Sequence, residues 1–157
     1  MIITFCGHDN VPDIDKVREW LRHVLDQFLY EENVICYLGG YGGFDRLAAS
    51  VVREKQKGNP SAQAVLVIPY LNKKYDESGY DYTLFPPLES VPPRYAISKR
   101  NEWMVAQADV VVAYVTHDWG GAAKTLEYAR TKRKKLILYP EIGEISADRP
   151  KEQYHRG

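Results

Sequence analysis

Five short apolar runs alternate along this chain with four stretches of helical periodicity, and few folds accommodate that alternation. The runs are Ile2–Cys6, Val34–Leu38, Ala64–Ile68, Val110–Val115 and Leu136–Tyr139. Ala64–Ile68 is almost continuously apolar, as a parallel strand covered on both faces must be. Between the runs, Ile14, Val17, Leu21, Val24, Leu25 and Phe28 recur at helical spacing, as do Phe44, Leu47, Ala48, Val51 and Val52. A third stripe carries Ala96, Ile97, Met104, Val105 and Ala108, and a fourth helix opens after Gly120-Gly121 and runs to about Lys132.

Strand and helix taking turns in this way imply a parallel sheet with helices on both faces. The expected fold is α/β and Rossmann-like, a three-layer α/β/α arrangement with a central parallel sheet of about five strands in the order 3-2-1-4-5. In such sheets a ligand sits beyond the carboxyl ends of the strands, where strand order reverses. Here that point lies between the first and fourth strands. It gathers Gly7 and His8, the run Gly39 to Asp45, and Thr116 to Gly121 along one rim.

Length and composition are consistent with this and exclude some roles. A chain of 157 residues with 45% apolar side chains can bury the core of one domain. That domain is expected over 1–140, with a polar C-terminal tail over 141–157. The 21 basic and 21 acidic side chains cancel, so no net field draws the chain to nucleic acid or to an anionic membrane. No apolar run reaches the roughly 20 residues that span a bilayer, and Met1–Cys6 reads as a strand without a basic leader. A cytoplasmic location is the resulting expectation. Cys6 and Cys36 fall in interior strands, where free buried thiols are expected. The segment 70–93 breaks the pattern. It is rich in tyrosine (Tyr70, Tyr75, Tyr80, Tyr82) and carries Pro86, Pro87, Pro92 and Pro93, as a functional lid over the rim would.

Two glycine turns stand out on the rim. In the first, Gly39, Gly40, Gly42 and Gly43 follow a strand and lead into a helix at Phe44 and Asp45. Glycine admits positive φ and lets a ligand approach the backbone, and a helix start offers unpaired N–H groups, so the run suits a phosphate; a tight turn is the plainer alternative. The second, Trp119-Gly120-Gly121, has the same strand-to-helix context, and two such turns suit a nucleotide. Lys124 and Thr125 follow within about a turn, where a cation and a hydroxyl can reach a phosphate or simply face solvent. Neither turn has the spacing of a P-loop or of a dinucleotide fingerprint, which weakens ATPase and dehydrogenase readings.

Other rim residues have two readings each. Arg100, with Asn101 beside it, offers a planar fork for phosphate, or pairs at the surface with Glu102 or Glu89. Trp119 stacks on a base or covers a strand edge. Asp45 caps its helix or accepts from a ribose hydroxyl. Glu127, roughly 9 Å along the helix from Gly121 at about 1.5 Å per residue, reaches a ribose or pairs with Arg130 or Lys124. His8 and His117 share a neighbourhood, but zinc-binding spacings are absent, so no metal is expected; the expectation for cofactors is likewise none. The basic run Lys132–Lys135 ends a helix and suits its dipole.

Taken in order, Phe5-Cys6-Gly7-His8, Gly39 to Asp45, Phe85-Pro86-Pro87-Leu88-Glu89, Lys99 to Met104 and Trp119-Gly120-Gly121-Ala122 resemble the YpsA/YoqJ-like branch of the SLOG superfamily. The likeness spans about Ile2 to Tyr139. It implies a Rossmann-like domain for nucleotides or nucleotide-derived ligands and, by superfamily analogy, a homodimer. The superfamily also includes the Lonely-guy phosphoribohydrolases, which pair an arginine in an R-K-x-x-M-like helix with a glutamate closing G-G-x-G-T-x-x-E. Arg100 and Met104 match the first motif, and Gly120, Gly121 and Glu127 match the ends of the second. Ala123 and Lys124 replace its inner Gly and Thr, which puts hydrolysis in doubt and leaves binding intact.

The leading expectation is therefore a domain that binds or senses a small nucleotide ligand. Its phosphate would rest on the glycine turns, Arg100 and Lys124, its base on Trp119 or a loop tyrosine, and its ribose on Phe44 and Asp45. The alternative is an N-glycosidase acting on a nucleoside 5'-monophosphate, with Arg100 orienting phosphate and Glu127 acting at the sugar. An interaction module with a vestigial pocket is a third possibility.

Overall fold

A computed structural model of the chain describes residues 1–140; the polar tail expected over 141–157 lies outside them. The elements alternate as the sequence predicts: β1 (Ile2–Gly7), α1 (Ile14–Asp26), β2 (Ile35–Leu38), α2 (Gly43–Gln56), β3 (Gln63–Val67), β4 (Tyr82–Leu84), α3 (Ala96–Gln107), β5 (Val110–Tyr114), α4 (Gly121–Thr131) and β6 (Lys135–Leu138). The six strands form one sheet in the order β4-β3-β2-β1-β5-β6, and every neighbouring pair is parallel.

The strand absent from the sequence-based expectation is β4, inside the tyrosine-rich segment. It has three residues, pairs Val65 with Tyr82 and Val67 with Leu84, and lies at the sheet edge with Tyr82 exposed. An edge strand this short needs no apolar run, so periodicity does not report it. Asp81 fixes its start, accepting at Oδ2 from the Ala64 N–H at 2.7 Å and from Gln56 Nε2 at 2.7 Å.

Successive side chains of β1 serve opposite faces. Ile3 and Phe5 enter the core formed with α1 and α2, while Cys6 enters the one formed with α3 and α4. Each strand is thus sandwiched between helix layers and can be apolar throughout. Cys6 and Cys36 are free and buried. Chain order reverses across β1, whose two neighbours are β2 and β5, with Gly7 in register with Tyr114 at the carboxyl end. No described helix is long and apolar enough to cross a membrane.

Candidate functional site

The two glycine turns differ in what they leave open. In the first, Gly40 and Gly42 hold φ of 65° and 96°, a backbone that favours glycine. At the helix start the N–H groups expected to cradle a phosphate are already used. The Gly43 N–H donates to the Asp9 carbonyl at 3.0 Å and to Asp9 Oδ1 at 2.9 Å, and the Phe44 N–H donates to the His8 carbonyl at 3.2 Å. A Cβ on Gly43 would run into the Asp9 carbonyl oxygen, and one on Gly39 would lie 3.0 Å from Asp45 Oδ2 and 3.1 Å from Arg100 Cζ. Phe44 is buried beneath Gly7, stacked near Tyr114 with ring centroids 5.6 Å apart. The expectation that phosphate rests on Gly39, Gly40, Gly42, Gly43 and Phe44 meets an occupied turn: Asp9 of the β1–α1 loop lies against Gly42 and Gly43, Leu66 against Gly40, and Asp45 and Arg100 against Gly39.

Among the described residues nothing fills the second turn. Gly120 takes φ of 93°, and a Cβ on Gly121 would meet no heavy atom within 4 Å. Among the described residues no acceptor reaches the N–H groups of Gly121 or Ala122; the first bond of the helix is from the Lys124 N–H to the Gly120 carbonyl at 3.1 Å. A helix start with free N–H groups carries the positive end of the dipole to whatever lies in front of it.

In front of it is a cleft of about 410 Å³ at the carboxyl end of β1, reaching from Gly7, His8 and Asp9 to Tyr41, Asp45, Arg100 and Asn101 and closed by His117, Trp119, Gly120, Gly121 and Thr125. Two of its aromatics stand in solvent, Tyr41 at 70% exposure and Trp119 at 68%, one on each glycine turn. Thr125 also lines the cleft, but its hydroxyl donates to the Gly121 carbonyl at 2.9 Å.

The floor of the cleft is charged and buried. Arg100 is 2% exposed, the opposite of the surface alternative. Its Nη1 donates to the Gly39 and Val67 carbonyls at 3.0 and 2.7 Å, and its Nε to Asn101 Oδ1 at 2.9 Å. Burial pulls its pKa down, while the negative charge of Asp45 opposes that pull. Asp45 accepts the Tyr41 N–H at 3.3 Å, and burial pushes its carboxyl up to about 6 although Arg100 works in the other direction. This carboxyl can exchange a proton near neutrality at the edge of a ligand-sized cleft.

Three rings stack along one wall. His8 and His117 lie 3.7 Å apart at 14°, and His117 and Trp119 lie 3.8 Å apart at 19°. The Thr116 N–H donates to His8 Nε2 at 2.9 Å, so that nitrogen carries a lone pair. Burial and the neighbouring His117 both push the His8 pKa down, which keeps the ring neutral. Among the described residues no group of three or more metal-ligating side chains assembles.

Lys124 and Glu127 lie elsewhere. Both line a second cleft of about 460 Å³ on the far side of the α4 start, together with His117, Asp118, Arg130 and Tyr139. Glu127 is exposed and pairs with Arg130 at 3.5 Å. Arg100 and Glu127 therefore do not share a cleft. Sequence reasoning missed Asp9, which closes the first turn from 34 residues away, and gave Tyr41 no separate role. The exposed tyrosine amid glycines was the available signal for Tyr41; nothing local marks Asp9.

No family model matches the chain, and no curated protein matches it significantly. Solved structures do. The molybdenum cofactor binding protein from Rippkaea orientalis superposes with a TM-score of 0.62 at 18% identity, covering 87% of this chain and 74% of that one. The DNA processing protein A of Streptococcus pneumoniae gives 0.65 at 17% identity, covering 88% of this chain and 50% of that one. That of Helicobacter pylori, described with its single-stranded DNA binding mode, gives 0.61 at 16%, covering 90% and 66%. At these identities the shared property is the Rossmann-like fold.

Proposed function

We propose that this chain is a nucleotide-binding or nucleotide-sensing domain of the SLOG superfamily, in its YpsA/YoqJ-like branch, working in the cytoplasm as a homodimer. The observation that carries the reading is the unfilled α4 start. Its free N–H groups face the strand-order reversal, and Tyr41 and Trp119 stand exposed on the cleft it opens into. The phosphate rests on Gly120, Gly121 and Ala122, a base stacks on Trp119 or Tyr41, and Asp45 and Asn101 address the ribose. The first turn supports these groups without holding phosphate itself. Arg100 acts through charge from beneath, since Nη1 and Nε are committed to protein acceptors.

The fold neighbours are named for binding a cofactor or single-stranded DNA, which supports a ligand site on this scaffold. A small molecule is favoured over a strand of nucleic acid. Arg100 is the one cationic Lys or Arg side chain among the described residues of the cleft, whereas a polyanion needs a basic track. Against the N-glycosidase alternative stands the placement of Glu127, exposed, paired with Arg130 and across α4 from Arg100.

Calorimetric titration with AMP, GMP, CMP and UMP tests the reading. At least one should bind with a Kd of about 10–100 µM and raise the melting temperature at saturation. Gly121→Asp, which fits the open space, should abolish binding by repelling phosphate while leaving the protein folded. Silence across the panel, or undiminished binding by Gly121→Asp, sinks it. Base release that depends on Glu127 would turn the conclusion to the enzyme.

A further inference from the structure

We propose that the ligand is bipartite: a nucleotide whose phosphate chain passes the start of α4 and delivers a further oxygen-rich group, a sugar or terminal phosphate, to the second cleft, against Arg130 and Lys124. This rests on the nucleotide reading of the first cleft and extends it.

The two clefts adjoin. His117 lines both, and the first turn of α4 divides them, with Gly121 and Ala122 on one side and Ala123 and Lys124 on the other. A phosphate on the free N–H groups of that turn therefore sits at the divide. The missing side chain at Gly121 leaves the passage clear, since a Cβ there would touch nothing. At about 460 Å³ the second cleft is as roomy as the first at about 410 Å³.

Two unpaired polar atoms mark the second cleft. Arg130 Nε and His117 Nδ1 are buried without a hydrogen-bond partner among the described residues, and both residues line it. Buried polar atoms are rarely left so, because the lost hydration goes uncompensated. An Arg Nε–H only donates, so the partner it lacks is an acceptor oxygen. Glu127 does not supply it, because its carboxylate pairs with Nη1 at 3.5 Å and leaves the Nε edge of the guanidinium open. Lys124 adds a second donor that makes no ion pair among the described residues. Sugar hydroxyls and phosphates both present the required oxygens.

Binding of AMP, ATP and ADP-ribose to the full chain, measured by calorimetry, decides this. The bipartite arrangement predicts that ATP, ADP-ribose or both bind at least tenfold more tightly than AMP. A gain confined to ADP-ribose assigns the second cleft to a sugar, and one confined to ATP assigns it to a terminal phosphate. Arg130→Met should bring the tighter ligand back to the affinity of AMP while leaving AMP itself within twofold. Lys124→Ala, an exposed position, should remove at least a threefold share of the gain and serves if Arg130→Met does not fold. AMP binding with no gain for either longer ligand overturns the inference and leaves the nucleotide reading standing. A gain that survives both substitutions also overturns it. If none of the three binds, the bipartite arrangement falls, and the nucleotide reading falls with it only where GMP, CMP and UMP are silent as well.

Discussion

The two glycine turns of this chain follow strands, open helices and begin with an N-cap glycine of nearly the same conformation, φ of 96° at Gly42 and 93° at Gly120. They nevertheless do opposite things. At the first, the chain supplies its own occupant: Asp9 sits where an anion would and takes the Gly43 N–H with both its carbonyl and its carboxylate. At the second, the helix start faces open cleft. Glycine at a helix N-terminus permits close approach but does not say by what. The partner is decided by the loop opposite, and for the first turn that loop is the one leaving β1.

The comparison is broken most severely by adding one methyl group to each turn. Gly43→Ala pushes a Cβ into the Asp9 carbonyl oxygen, a backbone atom that cannot swing aside, and should cost about 2–4 kcal/mol of stability. Gly121→Ala meets nothing within 4 Å and carries no positive φ, so it should stay within about 0.5 kcal/mol of the parent, or gain a little from better helix propensity. Urea denaturation of the two variants measures both. Equal losses would show that the second turn is as filled as the first.

That asymmetry also marks how far the sequence could be read. The buried strands were legible because parallel strands covered on both faces are apolar runs, and their order came with the Rossmann-like arrangement that strand and helix in alternation imply. Tyr82–Leu84 was not, because three residues at an edge carry no such run. That a glycine turn opens α4 at Gly120-Gly121 was legible from its glycines and its place after β5, as the first turn was from its own. The closed state of the first turn was not, since the closing residue, Asp9, is 34 positions away and looks like any loop aspartate. The separation of Glu127 from Arg100 was within reach of helix arithmetic. Gly121 and Thr125 are four apart and share one face of α4, whereas Lys124 and Glu127, three apart, share another. Motif matching placed Glu127 with Arg100 because it weighs spacing along the chain and not the face each residue occupies.

A second distinction separates the turns by pH. The first has a buried carboxyl beneath it, Asp45, raised from 3.8 to about 6 by burial. A native state that holds this proton more tightly than the unfolded chain is favoured at low pH. The contribution is full below about 4 and is lost as pH rises to about 6, a difference of about 3 kcal/mol in all. Asp45→Asn cannot titrate. Relative to the parent, its stability should rise by about 2–3 kcal/mol between pH 4 and pH 7, and difference curves from denaturation at each pH will show it. A flat difference would mean that Asp45 is solvated, and that the floor of the cleft is wetter than its 9% exposure implies.

The smallest effect on stability is expected at Trp119, and it tests the open turn most directly. The indole is 68% exposed and its ring contact is the stack on His117, so Trp119→Ala should change the unfolding free energy by no more than about 0.5 kcal/mol. If its purpose is a base, the same substitution should weaken nucleotide binding by about tenfold or more, since stacking on an aromatic is worth about 1–3 kcal/mol per base. Tyr41→Ala, equally exposed on the rim of the filled turn, provides the matched control. Loss of binding at Trp119 alone would place the base beside α4, and loss at Tyr41 alone would carry it across the cleft to the turn that Asp9 has closed. A fall in stability at Trp119 would instead make the ring stack a structural contact and return the open turn to the same class as the first.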